Sequence, residues 1–327
     1  MGKPLVILTH TLPQEWTIIL QDTCEVILGP KDATEFDSDL YQYLPKCEGL
    51  FTLLTIPVNE MLLAQAPHLR VVSNMAVGVD NIDIQSCTRR KIPVGNTPGV
   101  LTESTADLTM ALLLSIVRNL PRASQDAREG RWKTWSPAGW LGIELNGSTL
   151  GIIGMGKIGQ AVARRALGFG MQIIFTDNER KHVEHATQVT LGELLQRSDI
   201  ITLHAPLTPD TRGLINRETI ALMKPSAVLI NAARGPLVDM PALTHALKKH
   251  KITAAALDVT DPEPLPPDHP LYSLPNCLIV PHIGSATYQT RRKMAELACE
   301  NLLAGLKGER LPHCVNPEIY NDKDESQ

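Results

Sequence analysis

Three side chains in the last third of the chain could together do acid–base chemistry on a small anion that carries a carbonyl group. They are Arg234 in Asn231-Ala232-Ala233-Arg234-Gly235, Glu263 in Asp258-Val259-Thr260-Asp261-Pro262-Glu263-Pro264, and His282 in Pro281-His282-Ile283-Gly284-Ser285. Arg is a planar, always-charged fork that can grip a carboxylate and a neighbouring carbonyl oxygen at once. His titrates near neutrality and can give or take a proton. A carboxylate beside it favours the imidazolium and holds the ring in place. Singly, each has a plainer reading: a structural ion pair, an exposed turn residue, a hydrogen-bonded core histidine. Their meaning depends on what precedes them.

What precedes them is Gly154-Met155-Gly156-Lys157-Ile158-Gly159, a G-x-G-x-x-G pattern that follows an apolar run ending at Ile153 and opens a stretch of helical periodicity. That context makes the pattern a dinucleotide-binding candidate. Gly154 permits the tight turn, Gly156 lets backbone approach a pyrophosphate, and Gly159 lets helix and strand pack closely. The free N–H groups and positive dipole end of the helix would face the phosphates. About twenty residues on, Asp177 is placed to accept from ribose hydroxyls and to repel a 2′-phosphate, which favours NAD. Arg180 and Lys181 nearby are basic groups that could accept the NADP phosphate, or plain surface charge.

These groups need a framework that brings strand ends together. Thr149–Ile153, Gln172–Thr176, Ile200–Leu203, Ala227–Asn231, Ala254–Asp258 and Cys277–Val280 read as strands, most of them continuous apolar runs. Strands look so when helices cover both faces of a parallel sheet. Helical stretches at Ile158–Phe169 and Leu191–Arg197 alternate with them, so a doubly wound α/β domain is expected. A weaker α/β pattern fills the first hundred residues, with strands at Val6–Leu8, Leu50–Leu54, Val71–Val72 and Pro93–Val94 and a helix piece at Glu60–Ala64. Ser104–Arg118 reads as a long helix bridging the two, with Ser104-x-x-Asp107 as a candidate capping box. Arg131–Gly142 holds Trp132, Trp135 and Trp140 with Pro137 and Gly139, a packed loop or a subunit contact. The tail from Tyr320 is polar and expected to fray.

Composition narrows the class. At 327 residues, 43% hydrophobic, the chain has room for two domains and material for packed cores. A net charge of -4 offers no basic surplus for nucleic acid or an anionic membrane. The six cysteines are scattered without a C-x-x-C pair, which fits reduced thiols in a cytoplasmic setting and argues against a disulfide frame or a metal site. No apolar run is long enough to span a bilayer and the N-terminus lacks a signal pattern.

Taken with Val77-Gly78-Val79-Asp80, Leu203-His204-Ala205-Pro206-Leu207 and Asn301-Leu302, these motifs resemble the D-isomer-specific 2-hydroxyacid dehydrogenase family, and within it the glyoxylate/hydroxypyruvate reductases. The resemblance implies a Rossmann doubly wound sheet at 100–284 inserted in a flavodoxin-like α/β substrate domain made of 1–99 and 285–327, with the active site in the cleft between them. It implies hydride transfer between NAD, or alternatively NADP, and a small 2-oxo acid. Arg234 would bind substrate, His282 would be the acid/base, and Glu263 would pair with it. It places cofactor contacts on Gly154, Gly156, Lys157, Ile158, Gly159, Asp177, Pro206, Ala232, Asp258, Gly284 and Thr105, although Thr105 could instead cap its helix. Substrate would also meet the backbone of Val77 and Gly78, the side chain of Leu54, and Trp135, which the reductases lend across a homodimer interface and which otherwise reads as a core residue. NADPH-preferring members carry Ser or Gly followed by Arg where this chain reads Asp177-Asn178. The rivals on the same scaffold are phosphite, D-lactate, formate and phosphoglycerate dehydrogenases, and an NAD-sensing scaffold of the C-terminal binding protein type.

Overall fold

The computed structural model describes residues 2–320, so the expected fraying of the tail falls, from 321 on, outside the described residues. By internal contacts the chain divides into two compact units, Met1–Leu101 with Thr287–Gln327, and Thr102–Ala286. Each crossing lies two residues beyond the expected one.

The first unit is built on a five-stranded parallel sheet: β1 (Leu5–Leu8), β2 (Glu25–Leu28), β3 (Gly49–Thr52), β4 (Val71–Asn74) and β5 (Val94–Gly95), in the order β2-β1-β3-β4-β5. That is the flavodoxin-like order. Successive residues of a strand point to opposite faces, and both faces are buried here. Ile7, Leu50, Val72 and Val94 join one core with Leu40, Leu44, Leu62 and Leu63. Val6, Leu8, Phe51 and Val71 join another with Met294, Ala298 and Leu302 of the helix Tyr288–Lys307. That helix starts behind a Thr287 N-cap and stops at Gly308, which is left-handed at φ 78°.

The second unit carries seven parallel strands: β6 (Thr149–Ile153), β7 (Gln172–Thr176), β8 (Ala186–Gln188), β9 (Ile200–Leu203), β10 (Val228–Asn231), β11 (Ala254–Leu257) and β12 (Cys277–Ile279), in the order β12-β11-β10-β9-β6-β7-β8. The order reverses between β6 and β9, the switch point beyond which such sheets place ligands. Leu150, Ile152, Phe175 and Ile230 face the helices Thr102–Val117 and Lys157–Leu167. Ile153, Ile174, Ile201 and Leu229 face Leu191–Arg197 and Met240–Lys248.

Several boundaries differ from the sequence reading. β2 and β8 were not expected. Both are edge strands whose partly exposed residues make no continuous buried run. β3 ends at Thr52, leaving Leu53 and Leu54 in a loop. The helix Thr102–Val117 lies wholly in the second unit and begins before Ser104, which therefore sits in its first turn and is not the cap of a capping box. Thr105 is likewise inside the helix and 5% exposed. Among the described residues no helix is long and apolar enough to cross a membrane.

Candidate active site

The glycine loop joins β6 to the helix Lys157–Leu167 at the switch point. Gly154 has φ 94°, and a Cβ there would lie 2.6 Å from the backbone of both His204 and Ala205 at the end of β9. Only glycine lets these two loops close on each other. Gly156 is the N-cap of the helix and makes no side-chain capping bond, while a Cβ on it would meet nothing within 4 Å. An uncapped helix N-terminus that opens on free space is what a dinucleotide pyrophosphate requires, so the residues present fit NAD(P). Lys157 is exposed beside it, Ile158 packs partly against the core, and Gly159 is buried.

Asp177 follows β7 directly. Its Oδ2 accepts from the Met155 amide of the glycine loop at 2.8 Å and from Lys181 Nζ at 2.9 Å, and its Oδ1 accepts from the Glu179 amide at 3.2 Å. Burial alone would push this carboxyl up, but those donors outweigh it and hold the pKa below the usual carboxylate value.

The acid–base group forms at the ends of β10, β11 and β12. The turn after β10 is closed by Asn231, whose side chain donates to Arg234 O at 2.8 Å and accepts from the Ala233 amide at 3.1 Å. Gly235 then lies so close to the Thr260 carbonyl that a Cβ would be 1.8 Å from its oxygen. This contact presses the Arg234 loop onto the loop that carries Glu263. Glu263 uses both oxygens: Oε2 accepts from the Thr260 amide at 3.3 Å and Oε1 lies 2.5 Å from His282 Nδ1. His282 Nε2 makes no bond among the described residues.

His282 has φ 50°, the left-handed region that a non-glycine residue occupies at a cost of roughly 1–2 kcal/mol. The structure that imposes it is Asp258, 2% exposed at the end of β11. Its main-chain oxygen accepts from the His282 amide at 2.9 Å, and its carboxylate accepts from the amides of Ile283 at 2.6 Å and Gly284 at 2.9 Å. Burial pushes the Asp258 carboxyl up, against the pull of those two amides and of His282. A Cβ on Gly284 would sit 3.2 Å from Asp258 Oδ2 and 3.3 Å from Thr105 Oγ1, so Thr105, Asp258 and Gly284 gather at one point. Ala232 is buried after β10, and Pro206 is exposed after β9 with its carbonyl held by Thr211 Oγ1.

The remaining expected substrate residues fall in two other places. In the first unit, Leu54 and Val77 are exposed at the ends of β3 and β4. The carbonyls of Ala76, Val77 and Gly78 all accept, from the Thr97 amide, Asn96 Nδ2 and Asn74 Nδ2. The amides of Val77 and Gly78 donate to nothing among the described residues, so two adjacent N–H groups remain for an anion. Trp135 is 80% exposed in the second unit, which excludes the core reading for it in this chain. Its neighbour Trp140 is tied by Nε1 to Asp126 Oδ2 at 2.7 Å.

Three participants carried no assignment from sequence. Asn81 donates to Leu53 O and Ile56 O, and with Asn74 it joins the loops after β3 and β4 in the first unit. Gln188 clips the loop after Asp177. His204 stands at the switch point with Nε2 2.9 Å from Thr202 Oγ1 and with Nδ1 buried and unpartnered among the described residues, and burial lowers its pKa to about 4. Asn and Gln have no characteristic spacing to betray them, whereas His204 was visible within its motif.

Comparison with known proteins identifies the family. Residues 110–284 match the family of D-isomer specific 2-hydroxyacid dehydrogenases, NAD binding domain. The chain is 43% identical over 325 residues to a glyoxylate reductase of Korarchaeum cryptofilum, covering 97% of each. It is 44% identical over 315 residues to the glyoxylate reductase/hydroxypyruvate reductase of Mus musculus, covering 94% of this chain and 96% of that one. Among solved structures, a protein of Thermus thermophilus is 46% identical and superimposes with a TM-score of 0.90 over 95% of this chain and 99% of its own.

Proposed function

Since the chain belongs to the D-isomer-specific 2-hydroxyacid dehydrogenase family and is an NAD(P)-dependent oxidoreductase of 2-oxo acids, we propose that its substrate is glyoxylate or hydroxypyruvate, reduced to the corresponding 2-hydroxy acid. The observation that carries the assignment of roles is the 2.5 Å contact between His282 and Glu263, on a loop wedged against that of Arg234. Bound NAD(P)H supplies the hydride. Arg234 neutralises the substrate carboxylate and polarises its carbonyl. Glu263 holds the His282 ring by Nδ1, so that Nε2 faces outward and gives its proton to the carbonyl oxygen as negative charge builds there; in the oxidative direction it takes the proton back. The amides of Val77 and Gly78 and the side chain of Leu54 are proposed substrate contacts of the first unit, supported by two adjacent N–H groups that donate to nothing among the described residues.

Asp177 makes NADH the favoured reductant, through its remaining acceptor capacity toward the ribose hydroxyls. The Rossmann domain is taken as the unit Thr102–Ala286, each end two residues beyond that of the expected 100–284, and the substrate domain as the other unit. A homodimer is part of the proposal, supported by the exposure of Trp132 and Trp135. So is a cytoplasmic location, in keeping with six cysteines that are all free.

The test is a panel of glyoxylate, hydroxypyruvate, pyruvate and phenylpyruvate, each with NADH, followed by loss of the reduced nicotinamide absorbance. Fast oxidation with the two smaller hydrophilic acids is expected. Preference for phenylpyruvate, or no oxidation by protein that binds NADH, would overturn the substrate assignment.

A further inference from the structure

The acid at the end of β7 is not alone. Of the roughly four lone-pair sites of a carboxylate, Asp177 has three filled, by Met155, Glu179 and Lys181. Lys181 is no loose surface cation. Its amide donates to Gln188 Oε1 at 2.9 Å, and Gln188 Nε2 donates back to Glu179 O at 2.8 Å and to Asp177 O at 3.4 Å. Gln188 is itself fixed on β8, which pairs in register with β7. The ring formed by 177–181 and Gln188 therefore holds an ammonium against the carboxylate, with the Lys181 side chain 27% exposed and that of Asp177 only 7%.

An isolated acid at this point repels a 2′-phosphate. An acid already neutralised by a lysine repels it far less, and the lysine, the more exposed of the two, can turn its charge toward that phosphate. We propose that Lys181, held in place by Gln188, is a specificity-determining residue that lets this corner accept NADPH as well as NADH. The inference rests on the reading of Asp177 as the ribose acid and goes beyond the NADH preference drawn from it. The aspartate alone predicts strong discrimination, whereas the pair predicts a dual-cofactor enzyme.

Equilibrium binding tests it without turnover. Wild type, Lys181→Met, Lys181→Arg, Gln188→Ala and Asp177→Asn are each titrated with NADH and with NADPH, read by calorimetry or tryptophan quenching. Losing a charge-assisted contact to phosphate should weaken NADPH about tenfold or more in Lys181→Met, with a much smaller change for NADH. Lys181→Arg should retain NADPH binding, and Gln188→Ala should shift the ratio in the same direction as Lys181→Met by about threefold. Added salt should weaken NADPH more in wild type than in Lys181→Met. An unchanged NADH-to-NADPH affinity ratio in Lys181→Met, or wild type that binds NADPH no better than this variant, overturns the proposal. Asp177→Asn separates the two levels: if it alters neither affinity, the ribose reading of Asp177 falls and the inference with it, whereas an effect there beside a silent Lys181→Met removes the inference alone.

Discussion

Two corners of the second sheet do different work by different means. At the cofactor corner, after β6 and β7, position is set mainly by what is absent: Gly154 lets backbone meet backbone, and Gly156 leaves a helix end open. At the acid–base corner, after β10, β11 and β12, position is set by what is added: the Asn231 clamp, the buried Asp258 carboxylate and the Glu263–His282 pair. The first corner needs a shape that many dinucleotides satisfy, and close approach of main chain is the simplest way to make it. The second, in the proposed role, has to aim one imidazole nitrogen, and bonds to the buried Asp258 from the amides of His282, Ile283 and Gly284 hold His282 in a left-handed conformation. The two should therefore fail differently when altered.

The sharpest separation is expected from His282→Ala. With the proposed proton donor gone, turnover should fall by about a thousandfold, while NADH affinity measured by fluorescence titration stays at the wild-type value. A parallel loss of cofactor binding would mean that the corners are coupled through the His282–Gly284 loop and cannot be treated apart. Gly154→Ala should show the converse pattern. Its Cβ has no room against the β9 loop and its φ is disallowed for alanine, so a destabilisation of about 3 kcal/mol is expected in urea unfolding, with a raised KM for cofactor. Turnover at saturating cofactor should keep the wild-type pH profile, because the acid–base group is untouched. Wild-type stability in this variant would show that the two loops are not in contact in solution.

The same contrast explains what could be read in advance. Glycine at three spaced positions and the Arg, Glu and His after apolar runs are residue types that chemistry or sterics restricts, and they stand out in a bare sequence. The central strands stand out as well, since burial on both faces demands continuous apolar runs, as in Val228–Asn231. The edge strand Ala186–Gln188 does not, being three residues long with polar Thr187 and Gln188, whereas Val26-Ile27-Leu28 of Glu25–Leu28 is a legible apolar run that the expected strands did not include. With β8 unseen, Gln188 could not be placed beside Asp177, and Lys181 read only as a basic group able to accept the NADP phosphate or as surface charge, not as the partner of Asp177. Ser104 illustrates the opposite error. The S-x-x-D pattern was present, but the helix had already begun at Thr102, and pattern alone does not set a helix start to within a turn.

The smallest expected effect tests the seam between the corners. His204 lies at the switch point with one ring nitrogen bonded to Thr202 and the other buried without a partner among the described residues, and burial lowers its pKa from 6.5 to about 4. A histidine whose folded pKa is depressed is neutral in the fold at about pH 5, while the unfolded chain has taken up the proton. The unfolded state thus binds more protons between pH 6.5 and about 4, and stability falls as pH drops through that window. The loss between about pH 7.5 and about pH 5 should be about 2 kcal/mol from this residue. His10 adds in the same direction, since burial lowers its pKa also. The carboxylates with lowered pKa, among them Asp177, Asp199 and Glu193, lose their contribution mainly at more acid pH, and Asp258, whose pKa burial raises, acts in the opposite direction. Urea midpoints for wild type and His204→Asn at the two pH values isolate the contribution: the variant should lose markedly less stability on acidification than wild type. Equal losses would mean that water or a partner reaches Nδ1 in solution, and that the β9 loop is less tightly closed on Gly154 than the backbone contact implies.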